Sequence, residues 1–271
     1  MPRSATLIVG HGSRDPGANG AFEGLVARFA AGHGELEVRY GYLELAEPLF
    51  EAPLRDLAGR YERVAVVPLF LFAAGHVKDD VAQAVARARG AHPGAEIGTA
   101  PALGVHPHML HAALDRLAPC LDAGASPSRT VLVVVGRGSS DPDANGDFCK
   151  MVRLIAEGRG FAGVVPTFVG ITQPRLPASL DWVARTAPER VIVLPYFLFA
   201  GELTARIDAQ VEDFRARHPL IRVATAEPLG AHERVFRLVE ERAARALEIH
   251  GRPSCDICGR RAVPGGAEAR A

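Results

Sequence analysis

Two histidines follow glycines at the ends of apolar segments, and this setting suits the binding of a divalent metal. His11 lies in the run Gly-His-Gly-Ser-Arg after the apolar residues 6–10, and His76 lies in Ala-Gly-His-Val-Lys after the apolar residues 64–72. Two neutral imidazoles that leave coordination positions open suit Co(II), Ni(II) or Fe(II) better than a hard cation. If both segments are strands of one parallel sheet, the two rings could face each other at its carboxyl edge.

Each histidine also has a purely structural interpretation. His11 could be a turn residue with a satisfied ring, and His76 could belong to a helix-capping loop in which the charged residues 78–80 are solvated. A dinucleotide-binding fingerprint is excluded for the first segment, because no third glycine follows at the required spacing. His11 and Arg14 would also crowd the pyrophosphate. Instead, Arg14 could hold an anionic group near a helix N-terminus.

The chain repeats itself. Residues 9–22 read VGHGSRDPGANGAF and residues 135–148 read VGRGSSDPDANGDF, a shift of 126 residues. Three further matches follow in the same order at almost the same spacing: residues 64–76 with 191–203, 99–107 with 225–233 and, more weakly, 46–54 with 172–180. Four such matches are not expected by chance. The prediction is therefore of two homologous halves and a tail: residues 1–118, a linker at 119–129, residues 130–250, and a flexible tail at 251–271.

Within each half, apolar runs alternate with amphipathic segments. Runs such as residues 64–72 are continuously apolar, which is typical of strands buried on both faces. Segments such as residues 78–89 have one apolar helical face. Strand followed by helix, about four times per half, predicts an α/β fold in which each repeat is a parallel sheet flanked by helices. Ligands bind such sheets at the carboxyl ends of the strands, where the best-preserved segments of the repeat are expected to lie.

The two halves differ at both histidines. The repeat aligns His11 with Arg137 and His76 with Leu203. Because the second half lacks both imidazoles together, we interpret them as one functional pair and assign the metal chemistry to the N-terminal half. Arg137 can instead hold a carboxylate of a ligand, with little effect expected on metal affinity.

Three further histidines, His106, His108 and His111, cluster in the segment Gly-Val-His-Pro-His-Met-Leu-His. His108 and His111 are spaced i, i+3 on a predicted helix, which is a possible metal-ligand spacing. However, His106 has a counterpart in His232, and Pro107 suits the first position of a helix. We therefore predict a capping or supporting role for this cluster.

The cysteines define a second, weaker candidate site. Cys255 and Cys258 form one C-x-x-C pair in the tail, which could hold half of a zinc or iron–sulfur site. Cys120, Cys149 or a second subunit could supply the remaining ligands. The alternative is a disordered tail with incidental cysteines. Four scattered cysteines are too few for a disulfide scaffold, which favours a reducing cytosol.

Composition excludes some partners. The chain has 271 residues, of which 31 are basic and 31 acidic, so no overall field attracts nucleic acid or an anionic membrane. The apolar stretch near the N-terminus is too short for a signal peptide or a membrane span. We expect a cytoplasmic protein that binds neither nucleic acid nor membrane.

The motifs V-G-H-G-S-R and V-P-L-F-L-F-A-A-G-H-V-K-D-D, with the Glu47–Pro48 turn, resemble those of the class II tetrapyrrole chelatases. The resemblance covers about residues 4–250, and the two-repeat length is similar to the long sirohydrochlorin cobaltochelatase. It implies ATP-independent insertion of Co(II) into sirohydrochlorin for cobalamin biosynthesis. Iron insertion for siroheme and nickel insertion are alternatives. A carrier that binds metal or tetrapyrrole without turnover is an alternative of another class.

The resemblance also implies residue roles. His11 and His76 would bind the metal, and His11 would accept protons from the macrocycle. Glu44 would lie near the macrocycle. The segment that would line it comprises Leu71, Phe72, Ala73, Ala74, Gly75 and His76.

The cleft rim and the tail complete the expected site. The peripheral carboxylates of the macrocycle call for cations, for which Arg14, Lys78 and Arg137 are candidates. The long form often carries a C-terminal extension whose cysteines can hold an iron–sulfur cluster, to which Cys255 and Cys258 are similar. The protein would act as a monomeric pseudo-dimer, or as a homodimer joined through the tail.

Overall fold

The computed structural model describes residues 3–121 and 126–248, apart from the side chains of residues 75–78 and 248. The N-terminal repeat comprises β1 (Ser4–Gly10), α1 (Pro16–Gly32), β2 (Glu37–Tyr42), α2 (Glu51–Arg60), β3 (Arg63–Pro68), α3 (Gly75–Ala91), β4 (Glu96–Thr99) and α4 (Pro107–Leu121). After a 3-10 turn, the C-terminal repeat comprises β5 (Thr130–Gly136), α5 (Pro142–Ala156), β6 (Gly163–Phe168), α6 (Leu176–Ala184), β7 (Arg190–Pro195), α7 (Glu202–Arg217), β8 (Arg222–Thr225) and α8 (Glu233–Glu248). Because α4 continues to Leu121, it enters the segment expected as a linker; the domain boundaries stay a prediction.

Both sheets are parallel and have equivalent strand orders, β2-β1-β3-β4 and β6-β5-β7-β8. The register pairs Val9 of β1 with Pro68 of β3, and Gly10 with Tyr42 of β2, so the three strands end at the same edge. Continuous apolar runs form the central strands, because helices cover both faces of each sheet. The predicted fold class, two homologous repeats with a parallel sheet flanked by helices, is confirmed.

The two repeats share one hydrophobic core because their last helices are exchanged. Helix α4 packs against α5 and β7 of the other repeat, while α8 packs against β3 and β4. A Cβ added to Gly98 of β4 would lie 1.7 Å from the carbonyl oxygen of Ala246 in α8, so strand and helix are in backbone contact. The guanidinium of Arg242 in α8 donates to the carbonyl oxygen of Leu103 at 3.1 Å. The carboxyl edges of the two sheets are therefore held in a fixed relation.

None of the helices within the described ranges is both long enough and apolar enough to cross a membrane.

Candidate active site

The turn that carries His11 is ordered by its own polar side chains. Asp15 caps α1 by accepting from the amide of Gly17 at 2.8 Å. The amide of Asp15 donates to Oγ of Ser13 at 3.0 Å, and Asn19 donates to the carbonyl oxygen of Ser13 at 2.8 Å. The C-terminal repeat has the same three contacts at Ser139, Asp141 and Asn145. These serine, aspartate and asparagine contacts are therefore structural in both repeats. The chemical difference lies two residues before the serine, where the first repeat has His11 and the second has Arg137.

Gly12 lets the loop after β2 approach this turn. Its φ is +89°, and an added Cβ would lie 1.8 Å from the carbonyl oxygen of Glu44, so a side chain cannot be accommodated. The amide of Glu44 donates to the carbonyl oxygen of His11 at 3.1 Å. This contact brings the Glu44 carboxylate beside the imidazole, with 3.5 Å between Oε1 and Nδ1.

The His11 ring is 32% exposed and has neighbours on three sides. Phe70, just after β3, meets it edge to face with ring centroids 6.4 Å apart. Nδ1 faces Glu44, and Nε2 lies 3.2 Å from Nη1 of Arg137. Because a guanidinium only donates, Nε2 is assigned as the acceptor and Nδ1 as the protonated nitrogen. The contact thus describes a neutral imidazole whose lone pair is on Nε2.

The backbone of His76 lies at the same sheet edge. His76 is the second residue of α3, and its counterpart Leu203 is the second residue of α7. Strands β1 and β3 are neighbours, so α3 begins next to the turn that carries His11. The side chains of His76 and Lys78 lie outside the described residues, and the pairing of the two imidazoles stays a prediction. The side chains that are described include no group of three His, Cys, Asp or Glu that could hold a metal.

The predicted macrocycle-lining segment also joins the two repeats. Leu71 and Phe72 pack on the shared core, and the Phe72 ring stacks on Tyr196 of the other repeat with centroids 5.8 Å apart. Ala73 and Ala74 are half-buried, and Gly75 begins α3. The amide of Gly104 in the preserved Leu-Gly-x-His segment donates to the carbonyl oxygen of Leu71 at 2.8 Å. The role of this segment as a macrocycle surface stays a prediction.

The loops around the site have an exposed cation and two exposed apolar side chains. Arg14 is exposed and has no hydrogen bond or ion pair with any residue that the structure describes. Leu45, next to Glu44, is 50% exposed, and Ile171 of the other repeat is 63% exposed. Exposed apolar side chains beside a polar site suit a flat, largely apolar ring. A shift of 126 residues aligns Leu45 with Ile171, so the repeat contained the signal that could have predicted these two residues.

A third contrast between the repeats was also missed. The same shift aligns Glu44 with Gly170, and the amide of Gly170 donates to the carbonyl oxygen of Arg137 at 2.9 Å. The amide of Glu44 makes the equivalent backbone contact with His11. Only the N-terminal repeat therefore has a carboxylate, that of Glu44, at this position. Glu44 was expected near the macrocycle, and its position beside His11 makes it part of the same site.

The cluster of His106, His108 and His111 is structural. Nδ1 of His106 accepts from the amide of His108 at 3.2 Å, and His232 accepts from the amide of Arg234 in the same way at 3.1 Å. The His108 ring also contacts the Glu241 carboxylate of α8 at 2.8 Å. Burial lowers the pKa of the His106 imidazole. The predicted capping role is confirmed for His106, and His106 and His108 join α4 to α8 through Glu241.

The second candidate site stays a prediction. Cys255 and Cys258 lie outside the described residues, while Cys120 and Cys149 are free thiols.

Comparison with known proteins identifies relatives of nearly the whole chain. The CbiX family model matches residues 5–120 and again residues 131–246. A sirohydrochlorin cobaltochelatase of Priestia megaterium is 30% identical over 256 residues, which cover 94% of this chain and 83% of the relative. A sirohydrochlorin ferrochelatase of Bacillus subtilis is 30% identical over 241 residues, 86% of this chain and 88% of the relative. The structure of SirB from Bacillus subtilis with Fe³⁺ matches with a TM-score of 0.77 and 26% identity, covering 90% of this chain and 96% of SirB.

Proposed function

This chain belongs to the CbiX family, and on that premise we propose that it inserts cobalt into sirohydrochlorin in the cytoplasm, without ATP, for cobalamin biosynthesis. The observation that carries the proposal is the contact between His11 and Glu44 at the carboxyl edge of the first sheet. The equivalent backbone of the second sheet has Arg137 and Gly170 instead. Iron is the second candidate metal, because the cobaltochelatase and ferrochelatase relatives are equally identical to this chain at 30%.

The metal would bind through Nε2 of His11 and through His76. In the tautomer described above, Nε2 has the lone pair, and Glu44 faces the protonated Nδ1. A carboxylate beside the second ring nitrogen orients an imidazole ligand and adds negative charge near a divalent cation. Such nitrogen ligands suit Co(II) and Fe(II).

Insertion exchanges a metal for protons. The macrocycle must lose two N–H protons as it takes up the metal. When the metal leaves Nε2 of His11 for the ring, the vacated lone pair can accept one of these protons. Glu44 would stabilise the resulting imidazolium, and its carboxylate, which is 59% exposed, can take the second proton to solvent. Both groups then return their protons to water.

The test is anaerobic incubation with excess sirohydrochlorin and, in turn, Co(II), Fe(II) and Ni(II), followed by absorbance. We expect many turnovers per chain and the highest kcat/KM with cobalt. A carrier would stop after one equivalent, and a faster reaction with iron would assign the protein to siroheme synthesis instead.

The structural histidines should be dispensable for this reaction. We expect His108→Ala to leave the insertion rate unchanged and to lower the free energy of unfolding by at most about 1 kcal/mol, because a partly exposed ion pair contributes little. Urea unfolding and initial rates measure both quantities. A rate loss in the folded variant would place the cluster in the reaction.

The tail should also be dispensable for turnover. Truncation before Gly251 removes both tail cysteines but leaves both CbiX matches, which end at residues 120 and 246. We expect an unchanged kcat with cobalt. Loss of turnover in a truncated chain with wild-type circular dichroism would show that Cys255 and Cys258 take part.

A further inference from the structure

Arg137 contacts the site of the other repeat. It is the first residue after β5, as His11 is after β1, and its Nη1 lies 3.2 Å from Nε2 of His11. Its main chain is held by the amide of Gly170, while its side chain is exposed. Among the side chains that the structure describes, which do not include those of residues 75–78 and 248, the guanidinium has no other hydrogen-bond or ion-pair partner. Within that described part, its remaining N–H groups are not used and can serve a ligand.

This contact covers the nitrogen that the metal needs. His11 has one lone pair in this tautomer, on Nε2, and Arg137 donates to it. A divalent ion at that position would have to displace the hydrogen bond and would lie against a permanent positive charge. With this hydrogen bond in place, Nε2 is not accessible to a metal.

Arg137 cannot release His11 by losing a proton, because a guanidinium stays protonated under all ordinary conditions. It must exchange this hydrogen bond for one to another acceptor, either water or a ligand. A carboxylate is a better acceptor than an imidazole nitrogen, since it is charged and can take two parallel N–H bonds. The macrocycle of the proposed reaction has carboxylates at its periphery.

We propose that Arg137 is a latch on His11: it blocks Nε2 in the free enzyme, and a peripheral carboxylate of the macrocycle releases Nε2 by binding the guanidinium. This inference rests on the proposed function, because it takes a carboxylate-bearing macrocycle as substrate. The macrocycle then binds before the metal is held tightly. The latch thus predicts an effect of Arg137 on metal affinity, whereas its charge alone predicts little effect.

The latch predicts opposite effects of Arg137→Ala on the two ligands. Without macrocycle, Co(II) should bind about tenfold more tightly than to the parent, because the competing hydrogen bond and charge are removed. Metal-free sirohydrochlorin should bind at least about tenfold more weakly, because a charge-assisted contact is lost. Calorimetry with Co(II) and absorbance titration with the macrocycle measure these affinities in a full-length Cys255→Ser/Cys258→Ser background.

Arg153→Ala is the matched control. Arg153 lies in the last turn of α5, is exposed and pairs with Glu157, so its loss changes the net charge equally without touching the site. Both affinities should stay at the parent values. Arg137→Met, which is neutral and has no side-chain donor, repeats the test should the alanine variant fold poorly.

Three results for Arg137→Ala separate the interpretations. Tighter cobalt binding together with weaker macrocycle binding supports the latch. Unchanged cobalt affinity with weaker macrocycle binding would mean that Arg137 only contacts a carboxylate. Weaker cobalt binding would mean that Arg137 supports the metal site. Either result overturns the latch. The cobalt titration contains no macrocycle, so it does not depend on the insertion reaction. If the parent protein fails to insert metal in the absorbance assay, the proposed function is wrong, whatever the titration shows.

Discussion

His11→Ala is expected to lower the rate of cobalt insertion by at least about a hundredfold, because in the proposed mechanism the imidazole is both a metal ligand and a proton acceptor. The counterpart residue in the other repeat, Arg137, can do neither, since it has no lone pair to offer. The fold should persist, because the ring is one-third exposed and the turn is held by other side chains. Initial rates under anaerobic conditions and thermal unfolding measure the two effects.

His111→Ala is the control for this prediction. His111 lies in α4 of the same repeat, and its ring contacts only the carbonyl oxygen of Pro107, at 2.8 Å, among the hydrogen-bond partners that the structure describes. Its variant should insert cobalt at the wild-type rate. A folded His11→Ala variant with a comparable rate would remove His11 from the mechanism.

Gly12→Ala is expected to lower insertion by at least about tenfold, although residue 12 has no reactive group. At φ +89° an alanine is strained, and its Cβ would lie 1.8 Å from the carbonyl oxygen of Glu44. The turn and the loop after β2 must then separate, which moves the Glu44 carboxylate away from the ring that it orients in the proposed mechanism. Loss of orientation of this kind commonly costs one to two orders of magnitude, on the order of 10–100-fold. The strain itself should cost about 1–2 kcal/mol of folding stability.

Gly20→Ala is the matched control for Gly12→Ala. Gly20 lies in α1, and an added Cβ would have no neighbour within 4 Å. Alanine is favoured over glycine in a helix by roughly 0.5–1 kcal/mol, so this variant should be as stable as wild type or more stable. Wild-type insertion by Gly12→Ala would show that the contact between His11 and Glu44 is not needed.

The fold could be predicted because its causes are local or repeated. Apolar runs predict the buried strands, and amphipathic segments predict the helices. The 126-residue repeat then predicts the same order of elements in both halves. The exchange of α4 and α8 could not be predicted in this way. The apolar faces of α4 and α8 require that both helices be buried. The two homologous sheets, however, offer equivalent surfaces, and only the assembled chain determines which sheet each helix covers.

The candidate site was predictable in part for a similar reason. The joint absence of both histidines from the second repeat is the basis for predicting His11 and His76 as a pair, and the same comparison contained the contrast between Glu44 and Gly170. The contact between Arg137 and His11 depends on how the two sheet edges face each other. The periodicity of the sequence does not predict how the two sheet edges face each other. From the sequence, only the charge of Arg137 is informative.

Anomalous diffraction at the cobalt edge, from crystals of the protein grown with Co(II) and without macrocycle, tests the central claim most directly: one metal site per chain, built by the N-terminal repeat. We predict one cobalt ion in the cleft, bound to Nε2 of His11 and to His76, with Arg137 displaced from the ring. Cobalt beside Arg137 and Leu203, two equivalent cleft ions, or cobalt at the His106–His108 cluster with none at His11 would contradict it.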